Sequence, residues 1–208
     1  MNMDEEIDSL TIDALKEISN IAMGHFLKVI SQLTKQEVSV STPEAQIVNV
    51  KDASDKLGGK GTSILVGYMN VFGDATGSMV LLLAKHDAIK LTQLVLNEET
   101  TPVLFPSTIE RDTLKELMTV TGGAYLSAIT QFLDIQLTPT SPVISLFSAF
   151  NLLNYLKTRG DAIQAYESRK IVSVSIRYGV QSTDVKGEII MLVGPTILDY
   201  LTKKIKER

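Results

Sequence analysis

DALKEISNIAMGHFLKVISQLTKQEVSVSTP, residues Asp13–Pro43, returns 99 positions later as DTLKELMTVTGGAYLSAITQFLDIQLTPTSP, residues Asp112–Pro142. The alignment needs no gap, and nine of its 31 positions are identical: Asp13/Asp112, Leu15/Leu114, Lys16/Lys115, Glu17/Glu116, Gly24/Gly123, Leu27/Leu126, Ile30/Ile129, Gln32/Gln131 and Pro43/Pro142. A repeat of this length makes the chain two copies of one plan. Further along, GYMNVFGDATGSMVLLLA (Gly67–Ala84) is matched more loosely by IRYGVQSTDVKGEIIMLV (Ile176–Val193), and each is followed by a helix-like segment, HDAIKLTQLVL and PTILDYLTKKI. The half-repeats run over about 9–97 and 107–208, together one domain spanning 1–208.

Within each copy the hydrophobic period changes from that of a helix to that of strands. The first helix is expected from Thr11 to Thr34 and the second from Thr108 to Leu133. Ser107-Thr-Ile-Glu110 has the capping-box pattern that marks a helix start. QEVSVS (Gln36–Ser41) alternates as a half-buried strand, and VSVSIRY places Val172, Val174, Ile176 and Tyr178 on one strand face. GDATG after Phe72 reads as a hairpin turn, and Lys51–Gly61 and Leu156–Lys170 read as loops. Long helices followed by runs of strands give an α+β class, a pseudo-two-fold repeated domain with a largely antiparallel sheet and two exposed long helices.

Composition narrows the chemistry. The 208 residues are 44% hydrophobic and 21% charged, as in an ordinary globular chain. A net charge of −4 disfavours non-specific binding to nucleic acid or an anionic membrane. The absence of cysteine removes disulfides, thiolate metal sites and Cys nucleophiles, and fits a cytoplasmic protein. The acidic start MNMDEEIDSL is not a secretory signal. Ile135–Leu156 carries no formal charge, but Pro139, Pro142 and eight Ser, Thr, Asn or Gln residues exclude a membrane span there. His25 and His86 lack a partnering carboxylate pattern, and GGKGTS (Gly58–Ser63) lacks the full phosphate-loop signature.

At 100° per residue, Asp13, Glu17, Asn20 and Gly24 fall within about 40° of one line along the helix. Leu15, Ile18, Ala22, Phe26, Val29 and Leu33 take the opposite side, leaving Met23 lateral. The second helix repeats the division, with Asp112, Glu116, Thr119 and Gly123 outward and Leu114, Leu117, Tyr125, Ala128 and Phe132 inward. Solvation accounts for carboxylates on an outer face. It does not account for keeping glycine there twice, because each costs roughly 1 kcal/mol relative to alanine. A bare backbone on an outer face suits close approach by a partner.

Asp13, Glu17, Asn20 and Pro43 stand at the spacing found in the CheC family of chemotaxis phosphatases, which includes CheC, CheX and FliY, and the chain resembles that family. Asp112, Glu116 and Pro142 repeat the pattern, whereas Thr119 stands where Asn is expected. Length and the two motif copies place it nearer the two-motif members than the single-motif ones that dimerise or those with an added flagellar-switch domain. The resemblance implies a continuous antiparallel sheet shared by both halves and a substrate, the phospho-aspartate of a CheY-type response regulator. It implies no cofactor of the chain's own, with Mg2+ on the regulator, and CheD as a second partner. By that likeness Asn20 positions water and Glu17 anchors the regulator, with Asp13, Gly24, Asp112 and Gly123 at the partner face. Glu116 and Thr119 form a second, degenerate site, expected to dock and to hydrolyse slowly or not at all. A non-catalytic adaptor binding CheD or a regulator is the competing expectation.

Overall fold

The structure, a computed structural model, describes residues 9–48, 63–98, 106–148, 171–181 and 183–207. The loops expected at Lys51–Gly61 and Leu156–Lys170 lie outside the described residues, as does nearly all of GGKGTS. Helix α1 (Ser9–Thr34) leads into strands β1 (Val38–Val40) and β2 (Glu44–Val48), then β3 (Ser63–Gly73), β4 (Gly77–Ala84) and helix α2 (Lys85–Leu96). The second half follows the same order: α3 (Thr108–Leu133), β5 (Leu137–Pro139), β6 (Val143–Ser148), β7 (Ile171–Val180), β8 (Lys186–Val193) and α4 (Pro195–Lys206).

The long helices end where their repeated sequences predict. α3 begins with a complete capping box, in which Ser107 Oγ accepts from the Glu110 amide at 3.4 Å and Glu110 Oε2 accepts from the Ser107 amide at 2.7 Å. Both long helices stop at a left-handed residue in the same repeat position, Lys35 (φ 54°) and Asp134 (φ 56°). Neither is glycine, so the sequence carries no Gly stop signal there.

Every strand pair is antiparallel, and the halves exchange strands. β1 and β2 of the first half pair with β7 of the second, β5 and β6 of the second pair with β3 of the first, and β4 meets β8 at the centre. The sheet order is therefore β1–β7–β8–β4–β3–β5, with β2 and β6 off its two ends. Buried Pro43 and Pro142 sit in the breaks between β1 and β2 and between β5 and β6. Proline has no N–H for the ladder, and a preceding hydroxyl helps close each gap. Ser41 N donates to Arg177 O (2.8 Å) while Arg177 N donates to Ser41 Oγ (3.1 Å); Thr140 and Asn70 repeat this pair at 2.8 and 3.0 Å.

These pairings correct the repeat alignment of the hairpins. Ungapped, the sequences equate Tyr68 with Arg177, yet Glu44 faces Ser175 where its equivalent Val143 faces Tyr68. The first hairpin strand is thus displaced by two residues relative to the second. The turns absorb the difference: 74–76 joins β3 to β4, whereas 181–185 joins β7 to β8.

One core lies between the helices and one face of the sheet. It takes Leu15, Ile18, Ala22 and Phe26 from α1, Leu114, Leu117 and Tyr125 from α3, and Leu65, Met69, Leu81, Val174, Ile176 and Met191 from the sheet. Ile64, Val66, Tyr68, Val80 and Leu82 form a second buried cluster from the alternate positions of β3 and β4. Burial on both faces explains why these central strands read as unbroken apolar runs rather than alternations. Among the described residues, no helix is long and apolar enough to cross a membrane.

Candidate functional site

α1 and α3 pack side by side on the sheet and against each other. Ser19 of α1 and Tyr125 of α3 join their hydroxyls at 2.7 Å in the buried seam, directly under the face that carries Asn20. Burial pushes the Tyr125 phenol up to about 12, with the Ser19 hydrogen bond opposing part of the rise. Phe26, at the position in α1 that Tyr125 holds in α3, stacks edge-on against Tyr178 at 5.3 Å between ring centres. The inward face of each helix is packed into the core over most of its length, with Val29, Leu33 and Phe132 half-buried, and its opposite face is presented outward.

Asp13, Glu17, Asn20 and Gly24 are all exposed, as are Asp112, Glu116 and Thr119; Gly123 is half-buried. Met23, expected to lie laterally, is instead 3% exposed. Its flexible thioether fills core space, so it takes no part in the outer face. Its repeat equivalent is Gly122, where an added Cβ would stand 3.0 Å from Met69 Cε and 3.1 Å from Met79 Sδ. The neighbouring Gly123, like Gly24, has nothing within 4 Å of an added Cβ. Packing within the chain thus accounts for the first glycine of the Gly122–Gly123 pair. It accounts for neither outward-facing one.

The charges on the stripe divide into two kinds. Asp13 Oδ1 is 3.4 Å from Lys16 Nζ, and Asp112 Oδ1 is 3.3 Å from Lys115 Nζ, the same i,i+3 ion pair in both helices. Exposed pairs of this kind contribute little to stability. Glu17 and Glu116 form no ion pair among the described residues, so their carboxylates are available to an incoming cation. His86 does have a carboxylate neighbour, Asp87 Oδ1 at 3.3 Å, but the His86 side chain is itself solvent-exposed and far along the chain from either stripe.

The two stripes differ at one position. The Asn20 amide projects into solvent with no hydrogen bond among the described residues, retaining a free donor and a free acceptor. Thr119 Oγ1 instead donates to Lys115 O, one turn back in its own helix, at 2.8 Å. The second helix therefore turns the corresponding polar group onto its own backbone.

Residues 10–47, which hold the first stripe, match the CheC-like family. The chain is 26% identical over 137 residues to the CheY-P phosphatase CheC of Bacillus subtilis (strain 168), a match covering 65% of this chain and 66% of that protein, just under two thirds of its length. The chain resembles the CheC-like family. Its fold agrees: FliY of Thermotoga maritima superposes with a TM-score of 0.73 over 96% of this chain and 98% of that one at 14% identity. CheX of Desulfovibrio desulfuricans gives 0.58 over 85% and 99% at 13% identity. At such identities the likeness is one of fold. The CheC-like match carries the first stripe, and the second is tied to it by the internal repeat.

The sequence pattern missed one set of residues on this face. Leu10, Ile21, Ile109 and Val120 are large aliphatic side chains left exposed on the two helices. Their signal was present, as apolar residues off the apolar face in the same phase of both repeats.

Proposed function

We propose that this chain hydrolyses the phospho-aspartate of a CheY-type response regulator, with the working site on α1. The observation that carries this reading is Asn20: an exposed amide with no hydrogen bond among the described residues, one turn from a carboxylate with no ion pair among them. An acyl phosphate is already reactive, so a catalyst needs chiefly to hold water in line with phosphorus. The Asn20 carbonyl accepts a hydrogen bond from that water while its NH2 donates one to a phosphoryl oxygen. Glu17 engages a cationic side chain beside the phospho-aspartate, Asp13 borders the docking face, and Gly24 lets the regulator's backbone approach. Mg2+ is supplied by the regulator. At Glu116 and Thr119, flanked by Asp112 and Gly123, the same docking face lacks the free amide, which supports docking with little hydrolysis there.

The test follows decay of a phosphorylated CheY-type regulator with and without the chain. The wild type should accelerate it, and Asn20→Ala should remove on the order of a hundredfold of that acceleration, as loss of other preorganised donors does. Unaccelerated decay with the wild type, despite regulator binding, would leave the adaptor reading that the Thr119 geometry favours, with CheD or the regulator as the bound partner.

A further inference from the structure

Ser19 stands immediately before Asn20 in α1, the first buried in the seam and the second exposed on the outer face. The Ser19 hydroxyl meets that of Tyr125 in α3 at 2.7 Å, and both residues are buried. The repeat does not require this bond. The equivalent of Ser19 is Met118 and that of Tyr125 is Phe26, so both corresponding positions on the Thr119 side are apolar. Met118 reaches the β3 backbone at Gly67, where its Sδ is 2.7 Å from the position of an added Cβ, and Phe26 stacks on Tyr178. The polar pair thus accompanies Asn20, and the apolar pair accompanies Thr119.

Stability does not account for the difference. Exchanging a buried hydrogen bond for two apolar groups of similar shape is often neutral or favourable, and the second copy holds that alternative within the same fold. What a satisfied buried pair adds is direction. Apolar contacts are non-directional, whereas a hydrogen bond weakens steeply as its angle closes. The Ser19–Tyr125 bond therefore resists rotation of α1 about its own axis relative to α3.

A small rotation suffices to matter. Side-chain heads stand about 5–6 Å from a helix axis, so turning α1 by about 10° carries the Asn20 amide about 1 Å. A misplacement of that size can cost up to about a hundredfold in rate where a group must be held in line. The Glu17 carboxylate tolerates the same shift, because the energy of an ion pair falls only with the inverse of distance. Rotation would slow the chemical step and spare docking.

We propose that Tyr125 is a positioning residue for Asn20: acting through Ser19, it fixes the rotation of α1, so that α3 aligns the amide on the neighbouring helix. This rests on the phosphatase reading above and adds a buried pair on the core side of the working helix to it.

The experiment follows steady-state dephosphorylation of a CheY-type regulator by the full chain carrying Ser19→Ala together with Tyr125→Phe, which removes the bond without leaving a hydroxyl orphaned. Apolar packing keeps most of the alignment, so kcat should fall about fivefold with KM within about twofold of the wild-type value. The urea midpoint should stay close to that of the wild type, which separates the effect from loss of fold. Tyr125→Phe alone should show the same loss of kcat. In the Asn20→Ala background the seam pair should change the residual rate by less than about twofold, since its effect passes through the amide. An unchanged kcat in the seam variant, or an equal loss in the absence of the amide, would overturn the inference and leave the phosphatase reading in place. A wild type that does not accelerate decay would remove that reading and this inference with it.

Discussion

α1 and α3 are the same helix built twice, and they diverge at the group that points outward. Both spend their inner faces on one core, both hold an Asp–Lys pair on the outer surface, and both expose a glutamate with no ion pair among the described residues. At the next position of the stripe, Asn20 is exposed with no hydrogen bond among the described residues while Thr119 bonds to its own helix. On the proposed reading, the difference separates two roles that one motif combines: recognition needs charge and shape, which both helices retain, whereas positioning water needs a two-ended polar group at the right height above the backbone. A repeat can thus lose the second function and keep the first, because the core beneath it does not sense the exposed side chain.

The sharpest way to break this contrast is to make α1 into α3. Asn20→Thr should reduce acceleration of regulator dephosphorylation about a hundredfold while leaving regulator affinity within about threefold, since only the amide is removed. A loss of affinity matching the loss of rate would show that Asn20 docks rather than positions. The reciprocal exchange should have a smaller effect. Thr119→Asn in the Asn20→Thr background should restore about tenfold in rate, because the second face has kept Glu116 and Gly123 but evolved without the amide. Single-turnover decay of the phosphorylated regulator reads both variants.

Gly24→Ala should separate stability from function. An added Cβ at Gly24 meets nothing within 4 Å, so the variant should be more stable by about 1 kcal/mol through helix propensity alone. Its KM for the phosphorylated regulator should rise, because the methyl group stands where the partner approaches. Urea unfolding and steady-state kinetics on one preparation check the two halves of this expectation. A stabilised variant with unchanged KM would free Gly24 from any docking role.

The smallest expected effects lie in the seam beneath the stripes. Tyr125→Phe removes the bond to Ser19 and should destabilise the chain by about 1 kcal/mol. It also bears on alkaline stability. The Tyr125 phenol is raised from 10.0 to about 12 by burial, so the folded chain keeps a proton that the unfolded chain has released. This contribution is complete below about pH 10 and is lost as pH rises through about 12. Tyr178 is shifted in the same direction by burial and by the nearby Asp87 carboxylate. Wild type should therefore lose stability across this range, and Tyr125→Phe should lose less of it; melting temperatures at intervals from pH 9 upward give the comparison.

Much of this was legible in the sequence because it depends on local periodicity. The repeat, both helix spans, the capping box at Ser107 and the outward stripes of Asp13, Glu17, Asn20 and Gly24 follow from side-chain spacing along one helix. VSVSIRY declared its strand and its buried face by strict alternation. Three features escaped that logic for different reasons. Met23 was misplaced because its angle on the helix is lateral, and only the proximity of the sheet decides whether a lateral side chain is covered. The two-residue displacement between the hairpins was hidden because turn lengths of 74–76 and 181–185 show themselves only once strand partners are known. Leu10, Ile21, Ile109 and Val120 were passed over because an apolar residue in a sequence does not announce whether it faces a core or a partner.

By itself, then, the chain of residues determined the helices, β1 and the β3–β4 and β7–β8 hairpins, and which side of each long helix would be polar, since those properties repeat every few residues. The short strands β2, β5 and β6 carried no such signal. Tertiary structure alone decided that the halves trade strands, so that β1 and β2 lie on β7 and β5 and β6 on β3. It alone showed that Asn20 is left free where Thr119 is tied back, because a hydrogen bond depends on where a group's neighbours finally stand. DALKEISN and DTLKELMT name the candidates on two helices; the folded chain distinguishes the face with a free amide from the face that has only its glutamate to offer.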